Sequence, residues 1–233
     1  MLWPLFPPPR IVRFRRRPAP VPDQDDGPDD DALIARARDG DVEAFHELVE
    51  RHQTAIFNVV LRTMKDPAAA EDVTQDAFLR AWRSLGQFRG GNVRGWLMRI
   101  AVNRAYDTLR SQKRRPADSL DALEYEPRAQ WSAGAMTPEH PEGHALRREL
   151  SEVLERLLAN LPDDQRTALL LVDLEGFSYD EAAGIMAVAP GTIKSRISRA
   201  RSRLREEMRA TTESAELFDR FLRRDGDVLA RDG

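Results

Sequence analysis

Between Gly191 and Arg209 lie seven basic residues, Lys194, Arg196, Arg199, Arg201, Arg203, Arg205 and Arg209, against only Glu206 and Glu207. At 100° per residue of helix, Lys194, Ser195, Ser198, Arg199 and Ser202 fall on one side. Ile193, Ile197, Ala200 and Leu204 gather within about 60° of one another on the other. Cations set among small hydroxyls can address both phosphates and base edges, and a face without bulky apolar groups fits the ~12 Å-wide major groove of duplex DNA. The plain alternative is an amphipathic helix with a solvated face. Such faces usually mix acids with bases, yet no acid occurs between Glu181 and Glu206. A second group, Trp96, Arg99, Asn103, Tyr106 and Arg110, puts aromatics, an amide and cations on one helical surface. That is the chemistry for holding an unpaired strand, where stacking contributes ~1–3 kcal/mol per base and cations neutralise phosphates. A tryptophan at a helix start serves a core as readily as a stacking platform, and Asn103 and Arg110 also suit a structural role; both readings stand. The third group is Asp72, Gln75 and Asp76, a polar patch at i, i+3 and i+4 that suits either a protein contact or a solvated acidic face.

The elements that must position these groups are helical. Phe45, Leu48, Val49, His52, Ile56, Val59 and Val60 recur at three- and four-residue spacing. Asp66-Pro67 breaks that pattern. A second helix is expected from about Ala68 to Leu85, then a loop over Gly86–Gly91, then a helix from about Val93 to Ser111. In the C-terminal part, Leu150, Val153, Leu154, Leu157 and Leu158 stripe one helix that stops near Leu161-Pro162. Asp163 is expected to cap the next, whose apolar members are Leu169, Leu170, Val172 and Leu174 and whose end is Gly176. Ser178 with Glu181 three residues on forms a capping box. Ala182, Ala183 and Ile185 give a short helix, Pro190-Gly191 a turn, and Thr192 a cap for the basic helix. The last two form a helix-turn-helix. No period-two pattern competes, so the fold class is all-α: two small helical domains joined by a flexible linker, the second containing the helix-turn-helix.

The expected organisation is a disordered tail over 1–30, a helical domain over 31–115, an acidic linker over 116–144, the second domain over 145–210 and a C-terminal tail over 211–233. The N-terminal tail is Pro/Arg-rich and then acidic, and cannot bury a core. Leu217, Phe218, Phe221 and Leu222 give the last segment the stripe of a short helix. Net charge over 233 residues is −3, so distribution matters more than the sum. Arg89 to Arg115 carries eight basic residues against Asp107 alone, while Asp118 to Ala145 holds six acids and one arginine. Two basic islands flanking an acidic connector suit two contacts with one polyanion.

Cysteine is absent, which removes disulfides, thiolate metal sites and cysteine nucleophiles and fits a reducing cytoplasm. His140 and His144 have no third ligand at a familiar spacing, so no metal and no cofactor is expected. No apolar run approaches the ~20 residues that span a bilayer. The opening MLWPLFPPPRIVRFRRRPAP puts its basic residues after its apolar ones and lacks a cleavage site, unlike a secretory signal. Nucleophile–base constellations and Gly-rich phosphate loops are missing too, which argues against an enzyme.

The run Leu161-Pro-Asp-Asp-Gln-Arg, then Leu174-Glu-Gly-Phe-Ser-Tyr-Asp-Glu-Ala-Ala, then Gly191-Thr-Ile-Lys-Ser-Arg-Ile-Ser-Arg-Ala-Arg-Ser-Arg-Leu closely resembles region 4 of extracytoplasmic-function sigma factors. The resemblance implies that Lys194, Ser195, Ser198 and Arg199 contact a −35 promoter element; at Ser198 relatives often carry a larger residue. Ala70-Glu-Asp-Val-Thr-Gln-Asp-Ala-Phe-Leu-Arg-Ala-Trp resembles the stretch with which such factors grip the polymerase β′ coiled coil, implying contacts by Asp72, Gln75 and Asp76. The block from Phe88 to Arg110 resembles their −10 reading and melting segment, in which the loop Arg89-Gly90-Gly91-Asn92 helps capture a flipped base. The matching blocks cover roughly Asp31–Arg115 and Ala145–Arg209. The partners so implied are core RNA polymerase (β′ coiled coil and β subunit), promoter DNA and an anti-sigma protein, with no small-molecule substrate. A free-standing helix-turn-helix regulator is the rival reading; it would bind duplex without polymerase and would not need the Asp72/Gln75/Asp76 patch.

Overall fold

The structure, a computed structural model, describes residues 29–114, 149 and 152–210. The expected tails, the linker over 116–144 and the histidines at 140 and 144 lie outside them. Among the described residues all regular structure is helical.

Helix α1 (Asp30–Arg38) has acids in its first turn and arginines in its last, each complementing the helix dipole, and buries Leu33, Ile34 and Ala37. Gly40, at φ +95°, turns the chain, and the Asp41 side chain caps α2 (Val42–Met64) by accepting from the Ala44 amide at 3.1 Å. The α2 stripe runs through Phe45, Leu48, His52, Ile56, Val59 and Val60. Its last turn departs from a stripe, because Leu61, Arg62, Thr63 and Met64 are all buried. Lys65 ends the helix in the left-handed region at φ 61°. Asp66 caps α3 (Pro67–Ser84), and Pro67 takes the first helical position, where its missing N–H is no loss. A 3-10 turn (Leu85–Gln87) and a loop with Gly90 at φ +89° and Gly91 at φ +99° lead into α4 (Val93–Arg114).

Helix α5 covers 152–159. Helix α6 (Asp163–Leu169) widens into a π turn (Leu170–Leu174) and stops at Gly176, φ +73°. Its N-cap is Pro162, with no side-chain capping bond. Asp163 is the first helical residue and turns its carboxylate to Arg166 at 2.6 Å. Helix α7 (Tyr179–Met186) has the complete Ser178/Glu181 capping box. Helix α8 (Pro190–Ala210) starts at the proline, so Thr192 lies inside the first turn and does not cap it.

Helices α2, α3 and α4 pack together with α1 laid on α2; in the C-terminal half α6 and α7 pack on α8. Phe45 meets Trp82 edge-on, with centroids 5.1 Å apart. The two halves also pack on each other, α7 on α4 and α6 on α2, and one apolar core runs without a break from Leu33 to Ala200. Burying a side chain such as Leu48 or Ile197 stabilises by about 1.5–3 kcal/mol. This contact explains why the end of α2 is buried all round. There Arg62 donates from Nε and Nη2 to Glu155 Oε1 at 2.9 and 2.7 Å, with both side chains at most 7% exposed. The Thr63 and Thr167 hydroxyls meet at 3.0 Å, and Arg166 donates to the Arg62 carbonyl at 3.2 Å. Lys65 Nζ donates to the Ala159 carbonyl, capping the C-terminus of α5 from the other half. Removing one partner of a buried ion pair leaves an uncompensated charge and costs about 3–5 kcal/mol.

Candidate nucleic-acid and protein-binding surfaces

On α8, Ile193, Ile197 and Ala200 are buried, and Lys194, Ser195, Ser198 and Arg199 are all exposed. Helical periodicity therefore delivers the four polar residues to one open face. Ser195 Oγ donates to the Thr192 carbonyl at 2.9 Å, and Arg199 folds back onto Ser195 Oγ at 3.1 Å. Their neighbours have other duties. Arg196 pairs with Asp164 at 3.0 Å, and Arg201 grips both Asp173 oxygens at 3.0 and 2.6 Å, tying α8 to α6 and its π turn.

On α4, Arg99, Asn103 and Arg110 are exposed along one strip. Arg110 reaches Asp107 at 3.1 Å, an exposed pair of little energetic weight. Trp96 and Tyr106 flank the strip, half-buried. Trp96 packs against Phe88, with centroids 5.1 Å apart. Tyr106 turns towards the C-terminal half, where its hydroxyl donates to the Asp163 carbonyl at 3.4 Å. Burial pushes its phenol up to about 12. The strand-holding group predicted from sequence is thus split into an open amide-and-cation strip and two aromatics leaning on the protein.

Ahead of α4, Arg38 donates Nε to the Leu85 carbonyl at 3.0 Å and Nη2 to the Phe88 carbonyl, with its guanidinium 5.8 Å from the Phe88 ring centroid. The loop so pinned borders a cleft of about 560 Å³ lined by Arg38, Trp82, Leu85, Gly86, Phe88 and Arg89. Asn92 caps α4, its Oδ1 accepting from the Gly95 amide at 2.9 Å.

On α3, Asp72 and Gln75 are exposed, whereas Asp76 is half-buried. Its Oδ2 accepts from Arg80 Nε at 3.0 Å and Arg104 Nε at 2.5 Å. Burial raises the Asp76 carboxyl, but the two arginine hydrogen bonds outweigh it and hold the group below the usual aspartate value. Asp76 therefore braces α3 against α4 besides standing beside Asp72 and Gln75.

Sequence reasoning passed over Arg94. Its Nη1 donates to the Glu175 carbonyl at 2.9 Å, its Nη2 to the Glu175 carboxylate, and its guanidinium lies 4.8 Å from the Phe177 ring centroid. Asn92 Nδ2 likewise donates to Glu181 Oε1 at 2.7 Å. These partners are 81 and 89 residues away in sequence, beyond any local signal. Among the described residues no cluster of three or more His, Asp or Glu is arranged to hold a metal, and no helix is long and apolar enough to cross a membrane.

Two family models match the chain, sigma-70 region 2 over residues 48–115 and sigma-70 region 4 over residues 151–204. The RNA polymerase sigma-H factor of Pseudomonas aeruginosa is 39% identical over 173 residues, a stretch covering 74% of this chain and 90% of that one. The chain belongs to the sigma-70 family. The ECF RNA polymerase sigma-E factor of Escherichia coli strain K12 is 41% identical over 176 residues with the same coverage, which places the chain among the extracytoplasmic-function members. Of solved sigma-factor structures, CnrH in complex with the cytosolic domain of CnrY is similar at 27% identity and TM-score 0.56, covering 78% of this chain and 99% of that one. RpoE of Bartonella quintana, in complex with the anti-sigma factor NepR, is similar at 31% identity and TM-score 0.55, covering 71% and 96%. As a sigma-70 protein the chain is a transcription initiation factor. Region 2 holds the α4 strip and the Asp72/Gln75 surface; region 4 holds the helix-turn-helix.

Proposed function

We propose that the chain binds core RNA polymerase through Asp72, Gln75 and Asp76, lays α8 in the major groove of a −35 element, and holds the unpaired −10 strand along α4. The observation that carries this reading is the open α8 face, on which Lys194, Ser195, Ser198 and Arg199 are exposed while Arg196 and Arg201 hold the helix in place. A rigidly mounted helix can present base-reading hydroxyls and phosphate-binding cations together. For the −10 strand, Arg99 and Arg110 meet phosphates, Asn103 offers an amide to a base edge, and Trp96 and Tyr106 supply aromatic faces. Opening DNA costs ~1.4 kcal/mol per base-pair step. Stacking of ~1–3 kcal/mol per captured base, in the cleft beside Phe88 and Arg89, offsets part of it.

Chemistry belongs to the polymerase. The chain acts without enzymatic activity or cofactor, in the cytoplasm, with residues 31–115 and 145–210 as its working domains. CnrH and RpoE were each solved with a protein bound, and this supports an anti-sigma protein as a further partner here. The test is transcription in vitro with core polymerase and a library of promoter fragments. Promoter-dependent transcripts, appearing only when the chain is added, are the expected result. A chain that ignores core enzyme yet binds duplex operators alone would overturn the proposal.

A further inference from the structure

Carbonyls at the end of α3 and of the 3-10 turn after it are claimed in succession. Ser84 Oγ donates to the Arg80 carbonyl at 2.8 Å, and the Leu85 amide donates to that of Trp82. The carbonyls of Leu85 and Phe88 are held by a side chain from another helix. Arg38 of α1 donates Nε to the first at 3.0 Å and Nη2 to the second, and its guanidinium lies 5.8 Å from the Phe88 ring centroid. A cation there meets both the orphan carbonyls of a helix C-terminus and the negative end of its dipole. Helix α1 is itself fixed at both ends. Asp30 holds His52 Nε2 and Arg51 Nη1 of α2 at 2.8 and 3.0 Å. Arg36 closes the turn onto Asp41 with Nε and Nη2 at 2.9 and 2.6 Å, and Leu33, Ile34 and Ala37 are buried. All of α1 lies ahead of residues 48–115, the stretch that matches sigma-70 region 2.

The chain beyond Phe88 has little of its own to hold it. A Cβ added at Gly90 or Gly91 would meet nothing within 4 Å, so these glycines serve their positive φ and not a close approach. At the far end the loop is fixed by Asn92, which caps α4. At the near end the fixed point is Phe88, buried, packed on Trp96 and held by Arg38. We propose that Arg38 is a positioning residue for −10 recognition: it fixes the loop Arg89–Asn92 and the cleft beside it in the shape that receives one captured base, and so sets the base preference there. This rests on the promoter reading above. The fork is essential, because one planar guanidinium reaches two carbonyls three residues apart, whereas a lysine ammonium is a single point charge on a flexible stem. With Phe88 released, the two glycines are hinged from one side only. Looseness of about 1 Å is enough to spoil a recognition site.

The test uses the full chain with core polymerase on promoter fragments randomised at each −10 position in turn, comparing wild type with Arg38→Lys and Arg38→Ala. A read base is preferred about 5- to 150-fold, and both variants should lower that preference at least about fivefold at one −10 position. The other positions, the −35 preference and the salt slope should stay as in wild type. A preference retained in Arg38→Lys overturns the proposal, as does a uniform loss at every position matched by a fall in stability to urea. So does a salt slope that falls by about one in Arg38→Ala and is kept in Arg38→Lys, the signature of a cation on a phosphate. The pinning is read separately by amide exchange in the free chain. The Phe88 amide donates at 3.2 Å to the Leu85 carbonyl that Arg38 also holds. It should exchange about tenfold faster in Arg38→Lys, and an unchanged rate overturns the loop's dependence on Arg38. Wild-type chain that yields no promoter-dependent transcripts would sink the promoter reading, with exchange still deciding the pinning. Transcripts whose −10 preference ignores both variants would sink the role of Arg38 alone.

Discussion

Helices α4 and α8 are near equals on paper, 22 and 21 residues long and both rich in arginine, yet the fold treats them differently. The polar face of α8 is open along Lys194, Ser195, Ser198 and Arg199, while Arg196 and Arg201 are tied down by Asp164 and Asp173 of its own region. The corresponding surface of α4 is partly covered, with Arg94 clasped by Glu175 and Tyr106 turned to Asp163. Cationic content therefore does not measure availability; what matters is which carboxylates the tertiary fold brings within reach. The α8 face meets solvent without any rearrangement, whereas α4 shares a wall with the other half of the molecule and gives up part of its polar surface to it.

The largest expected effect bears on the core that joins the two halves. Ile197→Ala, at a fully buried position of α8, should cost about 2–5 kcal/mol. Because one core joins the halves, urea unfolding monitored separately in α4 and α8 should still give a single transition; two separate transitions would break the comparison at its root. Next come the cations of the open face. Lys194→Ala and Arg199→Ala should each weaken −35 duplex binding by about 1–3 kcal/mol and lower the salt slope by about one, measured by binding from low to moderate salt. An unaltered slope would argue against phosphate contact. Asn103→Ala should slow promoter opening, read by permanganate footprinting, by the ~1–2 kcal/mol of a lost base contact while leaving closed-complex affinity intact; equal loss of folding stability would make the residue structural. Reversing Asp72 and Asp76 together should weaken polymerase binding, seen by co-elution with core enzyme. Smallest is the acid-side effect of Asp76→Asn, under about 1 kcal/mol for a partly exposed group. The lowered Asp76 value means its contribution is present above the ordinary aspartate value and lost as pH falls through the shifted one. Acid titrations of wild type and variant should thus converge only at low pH.

Much of this was legible in the residues themselves. The Ser178/Glu181 box, the Asp66-Pro67 break and the stripe through Phe45, Leu48 and Ile56 are local codes, written in residues three or four apart, and they appear in the fold where their spacing puts them. Two local readings shifted: Pro162 takes the N-cap position of α6 ahead of the expected cap Asp163, and Pro190, with its fixed φ, begins α8 ahead of the expected cap Thr192. What sequence did not reveal is the seam. Arg62 meets Glu155 across 93 positions, Asp76 meets Arg104 across 28, and Tyr106 faces inward only because Asp163 arrives from elsewhere. No periodicity encodes such meetings, since they depend on how finished helices dock.

The buried last turn of α2 carries one more consequence. Any state in which the halves part uncovers Leu61 and Met64, strands the Arg62 cation from Glu155, and releases the Lys65 cap from α5. A chain opened with nothing to receive it would offer quality-control proteases an oily, charged scar. Closure thus sets the survival time of the unemployed factor, and its turnover in the cell should follow how often the seam breathes.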